Sequence, residues 1–233
     1  MIAFAVCVAD RGTFHRHCRP GLAACSEPDS QLALIETDSI FSGYNEAIDA
    51  FAGHPDLEAL VLLHEDVAIS DPEFCAAVRA SLLDPSIAVA GVIGARQVRS
   101  LCWWEGQIYG RVSETRAVFD HGGGRHDVDT VDGLLMVLSP WTVRNLRFDD
   151  ERFDGFHGYD VDLCFQAHAH GRRVITDDLQ IHHHARGGIG DGYGFWAADR
   201  TLRHKWSELG RDMANDEEVA LNRRGFDVVE RAR

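Results

Sequence analysis

No apolar run in the sequence approaches the ~20 residues that a membrane span requires, which argues against a transmembrane anchor. Basic residues are scarce: 23 Lys and Arg stand against 37 Asp and Glu, for a formal net charge of -14. That balance argues against binding nucleic acid or an anionic membrane unaided, since either surface needs concentrated Lys and Arg. Anionic substrates stay open, because a bound divalent cation inverts the local sign. The six cysteines (Cys7, Cys18, Cys25, Cys75, Cys102 and Cys164) form no CxxC pair, so structural zinc on cysteine is not expected. Cys7 and Cys164 sit in apolar segments as buried free thiols. The apolar opening, Ile2 to Ala9, lacks a basic start and a cleavage site and is expected to be a buried strand, not a signal peptide. A reducing, cytoplasmic setting fits these features, and peripheral contact with a membrane is compatible with them.

What remains is a chain of 233 residues, 45% hydrophobic and 26% charged, which suits one α/β domain with a substantial core. Strands are expected at Ile2 to Ala9, Leu32 to Ile35, Ala59 to Leu63 and Ile87 to Ile93. Helices are expected at Tyr44 to Ala52 and from Asp71-Pro72, with Asp71 as N-cap, through Leu83. The alternation implies a mostly parallel sheet covered on both faces. Arg96 to Asp127, with Trp103, Trp104 and Gly122-Gly123-Gly124, looks like an insertion that shapes a substrate, with one hairpin at most. Order returns with Val128 to Leu138, and Ser139-Pro140 then starts another helix. A helix from Tyr159 to His170, strands at Arg173 to Thr176 and Leu179 to His182, and a helix from Phe195 to Leu209 complete the pattern. Residues 1–210 are expected to form the domain, and 211–233 a charged tail that adds little to the core.

Three clusters carry chemistry. Leu63-His64-Glu65-Asp66 closes a strand, and ligands of open α/β sheets gather beyond the carboxyl ends of strands. His64 and Asp66 share a face in extended chain, where an imidazole and a carboxylate can hold a divalent ion; a solvated strand end with Asp66 capping the next turn is the plainer alternative. Gly158-Tyr159-Asp160-Val161-Asp162 opens a helix whose dipole favours ionised carboxylates, so Asp160 is expected to be a competent base at neutral pH unless it merely caps the helix. His182-His183-His184 closes another strand, with His182 and His184 on one face; one metal ligand is expected there, His184 before His182.

Taken together, His64-Glu65-Asp66, Asp132-Gly133-Leu134-Leu135-Met136, Phe153 through Cys164, His184 and Lys205-Trp206 resemble glycosyltransferase family 2, in the small glycosyltransferase-like branch that includes streptomycin-biosynthesis relatives. Ser42-Gly43-Tyr44-Asn45-Glu46-Ala47 resembles the family's Asn-containing helix near the nucleotide. The resemblance implies a GT-A fold, with a mixed, mostly parallel central sheet flanked by helices. It implies a metal-dependent, inverting, hexosyltransferase-like enzyme that uses Mn2+ or Mg2+ and a UDP-, GDP- or dTDP-linked sugar, with a glycan, lipid-linked or small-molecule acceptor. By position, Asp66 and His64 with His184 or His182 would bind metal, and Asp160 would be the catalytic base. Glu36, Asp38, Asn45, Asp132 and Gly133 would bind the donor. The chain departs from the family pattern at His64, where the family has Asp, and at Tyr159, where it often has Glu. Two other classes are weighed: a catalytically inactive nucleotide-sugar-binding module, and an Fe(II) oxygenase using His64, Asp66 and His184. The oxygenases belong on an all-β jelly roll, which the β-α-β-α pattern opposes. A nucleotidyltransferase is disfavoured because no Gly-rich, basic loop follows the first strand. The glycine-rich stretch from Gly187 to Gly194 is read as a lid or a surface loop.

Overall fold

The computed structural model describes residues 1–184 and 192–220. A seven-stranded sheet runs in the order β2-β1-β3-β11-β5-β12-β9. Its members are β1 (Ile2–Cys7), β2 (Gln31–Ile35), β3 (Ala59–His64), β5 (Ile87–Gly91), β9 (His126–Asp127), β11 (Leu135–Leu138) and β12 (Arg173–Thr176). β1 pairs in parallel with β2 and β3, and β5 with β12, while β11 lies antiparallel between β3 and β5. This is the mixed, mostly parallel sheet that was expected. β1, β3 and β5 are buried almost throughout, which explains why they read as unbroken apolar runs. Edge strand β2 instead leaves Leu32 and Leu34 exposed.

Alternate residues of each strand feed two cores. Ala3 and Ala5 of β1 face Phe41, Tyr44 and Ile48 of the helix Ile40–Phe51, together with Phe165 of the helix Tyr159–Ala169 and Trp206 of the helix Gly192–Glu208. Ile2, Phe4 and Val6 face Phe14, Cys18 and Leu22, and Phe74 and Val78 of the helix Phe74–Ser81. All six cysteines are free thiols.

A second sheet, in the order β10-β6-β7-β13-β4, comprises β4 (Val67–Ile69), β6 (Ile93–Arg96), β7 (Gln107–Glu114), β10 (Thr130–Val131) and β13 (Ile181–His183). β8 (Val118–Asp120) pairs antiparallel with β7, which is the hairpin within the expected insertion. One expected strand and one expected ordered segment are each divided between the sheets. Ile87 to Ile93 breaks at Val92, and Val128 to Leu138 breaks at Asp132-Gly133-Leu134. Ile87 to Ile93 is buried and without a polar side chain throughout, so hydropathy cannot show where the chain changes sheet there.

Two further expectations are corrected, and one helical stretch lies where no element was expected. The helix after Asp71 begins only at Phe74, because the Asp71 carboxylate accepts the Glu73 amide at 2.9 Å and closes a turn. Helical segments Arg11–Thr13, Phe14–Cys18 and Arg19–Cys25 follow without a break, although Gly12, Pro20 and Gly21 argue for a loop. The Phe14–Cys18 stretch is wide, with the Arg19 amide reaching back to the Phe14 carbonyl. The described part of the expected tail is packed against the domain: Met213, Ala214 and Val219 are buried, and the Ala214 amide donates to the Arg99 carbonyl at 2.8 Å. Among the described residues, no helix is long and apolar enough to cross a membrane. Of the segment read as a lid or loop, residues 187–191 lie outside the described residues, while Gly192, Tyr193 and Gly194 open a helix.

Candidate active site

β3 delivers His64 at its carboxyl end, and the chain turns through Glu65 and Asp66 into β4. As strand alternation requires, Glu65 points away from its neighbours, accepting the Ala9 and Asp10 amides at 2.8 Å each. β13 pairs antiparallel with β4, His183 opposite Val67, and brings His183 over Asp66. His64, Asp66 and His183 each offer a ligand atom, all within 4.8 Å of one another.

The third member is therefore His183, not His184 or His182. Those two do lie on the opposite face, as alternation required, but that face turns away from the trio. His182 Nδ1 is 2.9 Å from Ser113 Oγ, and His184 stacks on His17 with ring centroids 3.9 Å apart. His183 sits between two carboxylates, with Nε2 3.5 Å from Asp66 Oδ1 and Nδ1 3.0 Å from Glu114 Oε1. Burial alone would lower its pKa, but the Asp66 and Glu114 contacts outweigh this and raise it to about 9. Burial likewise works to raise Asp66, yet His183 and His64 hold it below the usual carboxylate range. His64 is lowered, first by burial and then by His183, against the pull of Asp66 and Asp132. Glu114 was invisible to sequence reasoning because it lies 69 residues from its partner in the chain.

Asp160 stands on the other side of the site, in the first turn of Tyr159–Ala169. Gly158, at φ 89°, takes the left-handed turn that starts this helix, a conformation that favours glycine. Asp160 is not an N-cap. One oxygen accepts the Val161 amide at 2.9 Å and the other the Gly133 amide at 3.0 Å. The helix dipole, expected to favour the ionised form of Asp160, is not the largest influence on it. Burial, followed by the nearby Asp132 charge, raises Asp160 to about 7 despite those amide donors. Asp132 itself accepts the Leu134 amide at 3.0 Å. Gly133 is required by close approach, since a Cβ there would collide with the Tyr159 phenol. Asp162 in the same turn is structural. It is 1% exposed and binds Lys205 Nζ at 2.7 Å and Trp206 Nε1 at 2.8 Å, tying the two helices together.

A cleft of about 420 Å³ opens over β1 and β3, lined by Ala9, Thr37, His64, Asp66 and Phe156 among others. A recess of about 140 Å³ shares His64, Phe156, His157 and Phe195 with it and adds Trp103, Trp104, Asp132 and Asp160. Trp103 and Trp104 are both partly exposed here, and neither is wholly core. Of the residues expected near the nucleotide, Glu36 and Asp38 do not line the cleft, whereas Thr37 between them, which was not expected there, does. Glu36 pairs with Arg11 at 2.6 Å. Asn45 is committed elsewhere: its amide donates to the Phe148 carbonyl at 2.8 Å and accepts the Phe148 amide at 2.9 Å.

Residues 3–185 match the model of a family described as glycosyltransferase-like. Over 210 residues the chain is 33% identical to the streptomycin biosynthesis protein StrF of Streptomyces griseus, an alignment covering 88% of this chain and 74% of that one. Among solved structures, the mannosyltransferase PcManGT of Pyrobaculum calidifontis, in complex with GDP-Man and Mn2+, superposes with a TM-score of 0.53 at 12% identity, covering 97% of this chain and 79% of that one. GalNAc-T7 with UDP, GalNAc and Mn2+ gives a TM-score of 0.54 at 8% identity, over 80% of this chain and 44% of that one. Both have the GT-A fold, and so does this chain.

Proposed function

Because the chain belongs to the glycosyltransferase-like family, we propose that it is a metal-dependent, inverting glycosyltransferase that moves a sugar from a nucleoside diphosphate to an acceptor hydroxyl. The observation that carries this reading is that His64, one of the His64, Asp66 and His183 trio, lines the same recess as Asp160. Two imidazoles and one carboxylate form a borderline donor set that suits Mn2+ better than Mg2+, which prefers oxygen ligands. Mn2+ and nucleotide ligands also accompany the two structural neighbours. The same donor composition serves Fe(II) oxygenases, but the mixed α/β sheet is not their all-β scaffold.

His64, Asp66 and His183 would hold the cation, which when bound offsets the charge of the leaving diphosphate. The larger cleft takes the donor, with Thr37 and Ala9 along its nucleotide end. The smaller recess takes the acceptor, whose ring faces Trp103 and Trp104. Asp160 accepts the proton of the attacking hydroxyl, and the Gly133 amide holds the carboxylate in place at 3.0 Å. One displacement on the face opposite the leaving group inverts the anomeric carbon.

The test is calorimetric titration of UDP-, GDP- and dTDP-sugars with and without Mn2+, followed by an assay for donor turnover. Metal-dependent binding of one donor, with turnover, is the expected result. Binding without turnover would make the chain an inactive nucleotide-sugar-binding module, and no binding of any donor would remove the reading.

A further inference from the structure

His64 and Tyr159, the two positions where the chain departs from the glycosyltransferase pattern, are in direct contact. His64 Nε2 lies 2.7 Å from the Tyr159 hydroxyl, a bond between residues 95 apart in sequence. The contact is built from several sides. Tyr159 is 4% exposed. Its ring meets Phe41 edge-on at 6.3 Å, Tyr44 at 5.7 Å and Phe148 at 6.1 Å. From below, only a glycine at 133 leaves room for the phenol. A ring confined in this way has one place for its oxygen, and that place is against the His64 imidazole.

We propose that Tyr159 is a positioning residue for the metal site, accepting the Nε2–H of His64 so that Nδ1 presents its lone pair to the cation. The role rests on the metal reading of His64, Asp66 and His183. The chemistry is that of neutral imidazole, which carries one proton: ligation through Nδ1 requires that the proton reside on Nε2. Nε2–H then needs an acceptor, since a buried donor without one is costly. Histidine ligands generally give this second N–H to a carboxylate, a carbonyl or water. Here a neutral phenol oxygen takes that part. It fixes tautomer and ring orientation without adding a negative charge beside Asp66, Asp132 and Asp160. Tyr159 thus binds His64 through its side chain while its backbone carries Asp160 as the next residue, so that ligand and base are set by one turn of helix.

The experiment compares the full-length protein with Tyr159→Phe, His64→Ala and the double variant, titrating each with Mn2+ by calorimetry and following the metal-free unfolding midpoint. Tyr159→Phe keeps the ring packing but strips His64 Nε2 of its partner, so the metal-free midpoint should fall only slightly while Mn2+ affinity falls about 10- to 100-fold, the usual effect of removing such a partner. In the His64→Ala background the same substitution should change Mn2+ affinity by less than about twofold, because coupled residues are not additive. Unchanged affinity in Tyr159→Phe, or an equal loss in both backgrounds, would overturn the positioning role and leave the metal reading standing. Failure of the wild-type protein to bind Mn2+ would overturn both. The tautomer is also readable without any variant. Long-range proton–nitrogen correlation spectra of the wild-type Zn2+ complex should show His64 protonated at Nε2; protonation at Nδ1 would overturn the proposal.

Discussion

The backbone amide of His184 donates to the carbonyl of Asp66 at 2.8 Å, and this pairing sets which histidine joins His64 and Asp66 in the candidate site. With that register, His183 falls opposite Val67 and turns its ring toward Asp66, while His182 and His184 turn theirs toward Ser113 and His17.

His183→Ala is therefore expected to weaken Mn2+ binding at least about tenfold, roughly 1.4 kcal/mol, whereas His184→Ala should leave the affinity nearly unchanged. Calorimetric titration of the two variants checks this, and the reverse ranking would put the neighbouring face in the site.

Asp160→Asn should lower transfer by about 10²- to 10⁴-fold while donor affinity is kept, since a general base acts on the acceptor proton and not on the donor. Full activity in the variant would remove Asp160 from the chemistry.

The pH dependence follows from the raised carboxyl. Below about 7 Asp160 holds its proton and cannot take another, so turnover should rise with pH through a midpoint near 7. Asp132→Asn removes the like charge that helps to raise Asp160 and should move that midpoint to lower pH. A rate profile whose midpoint does not move in the variant would contradict the electrostatic account.

Lys205→Ala should act on stability. It would leave Asp162, 1% exposed, with a buried charge and one hydrogen-bond donor fewer, a loss of about 3–5 kcal/mol for breaking such a pair. Denaturant unfolding measures the loss, and an unchanged midpoint would show that Trp206 and Gln166 satisfy Asp162 by themselves.

Much of the fold was legible because its strands are buried on both faces. β1, β3 and β5 announce themselves as apolar runs, and the polar His64 and Asp66 stand out where such a run ends. What was not legible depends on long-range placement. Alternation divides His182, His183 and His184 correctly between two faces, but it cannot say which face is inward before β4 is known to be the partner. Asn45 resembles a nucleotide-site residue, yet its amide is consumed by Phe148, 103 residues away. The helical stretch from Arg11 onward escaped notice because Gly12, Pro20 and Gly21 are poor helix formers, and a wide turn that buries Phe14 and Cys18 overrides them. The dipole argument for Asp160 weighed the helix alone and could not foresee Asp132 beside it.

The division of Val128 to Leu138 between two sheets has a consequence for how such an enzyme diversifies. The Asp132-Gly133-Leu134 link holds Asp160 through the Gly133 amide, and it lies between a short pairing with β6 on one side and the central strands on the other. The β7–β8 hairpin belongs wholly to the outer sheet. Lengthening or recasting that hairpin would alter the outer sheet, Glu114 beside His183 included, while the link under Asp160 stays anchored from within, so the two sides of the candidate site can drift at separate rates in descendants of this chain.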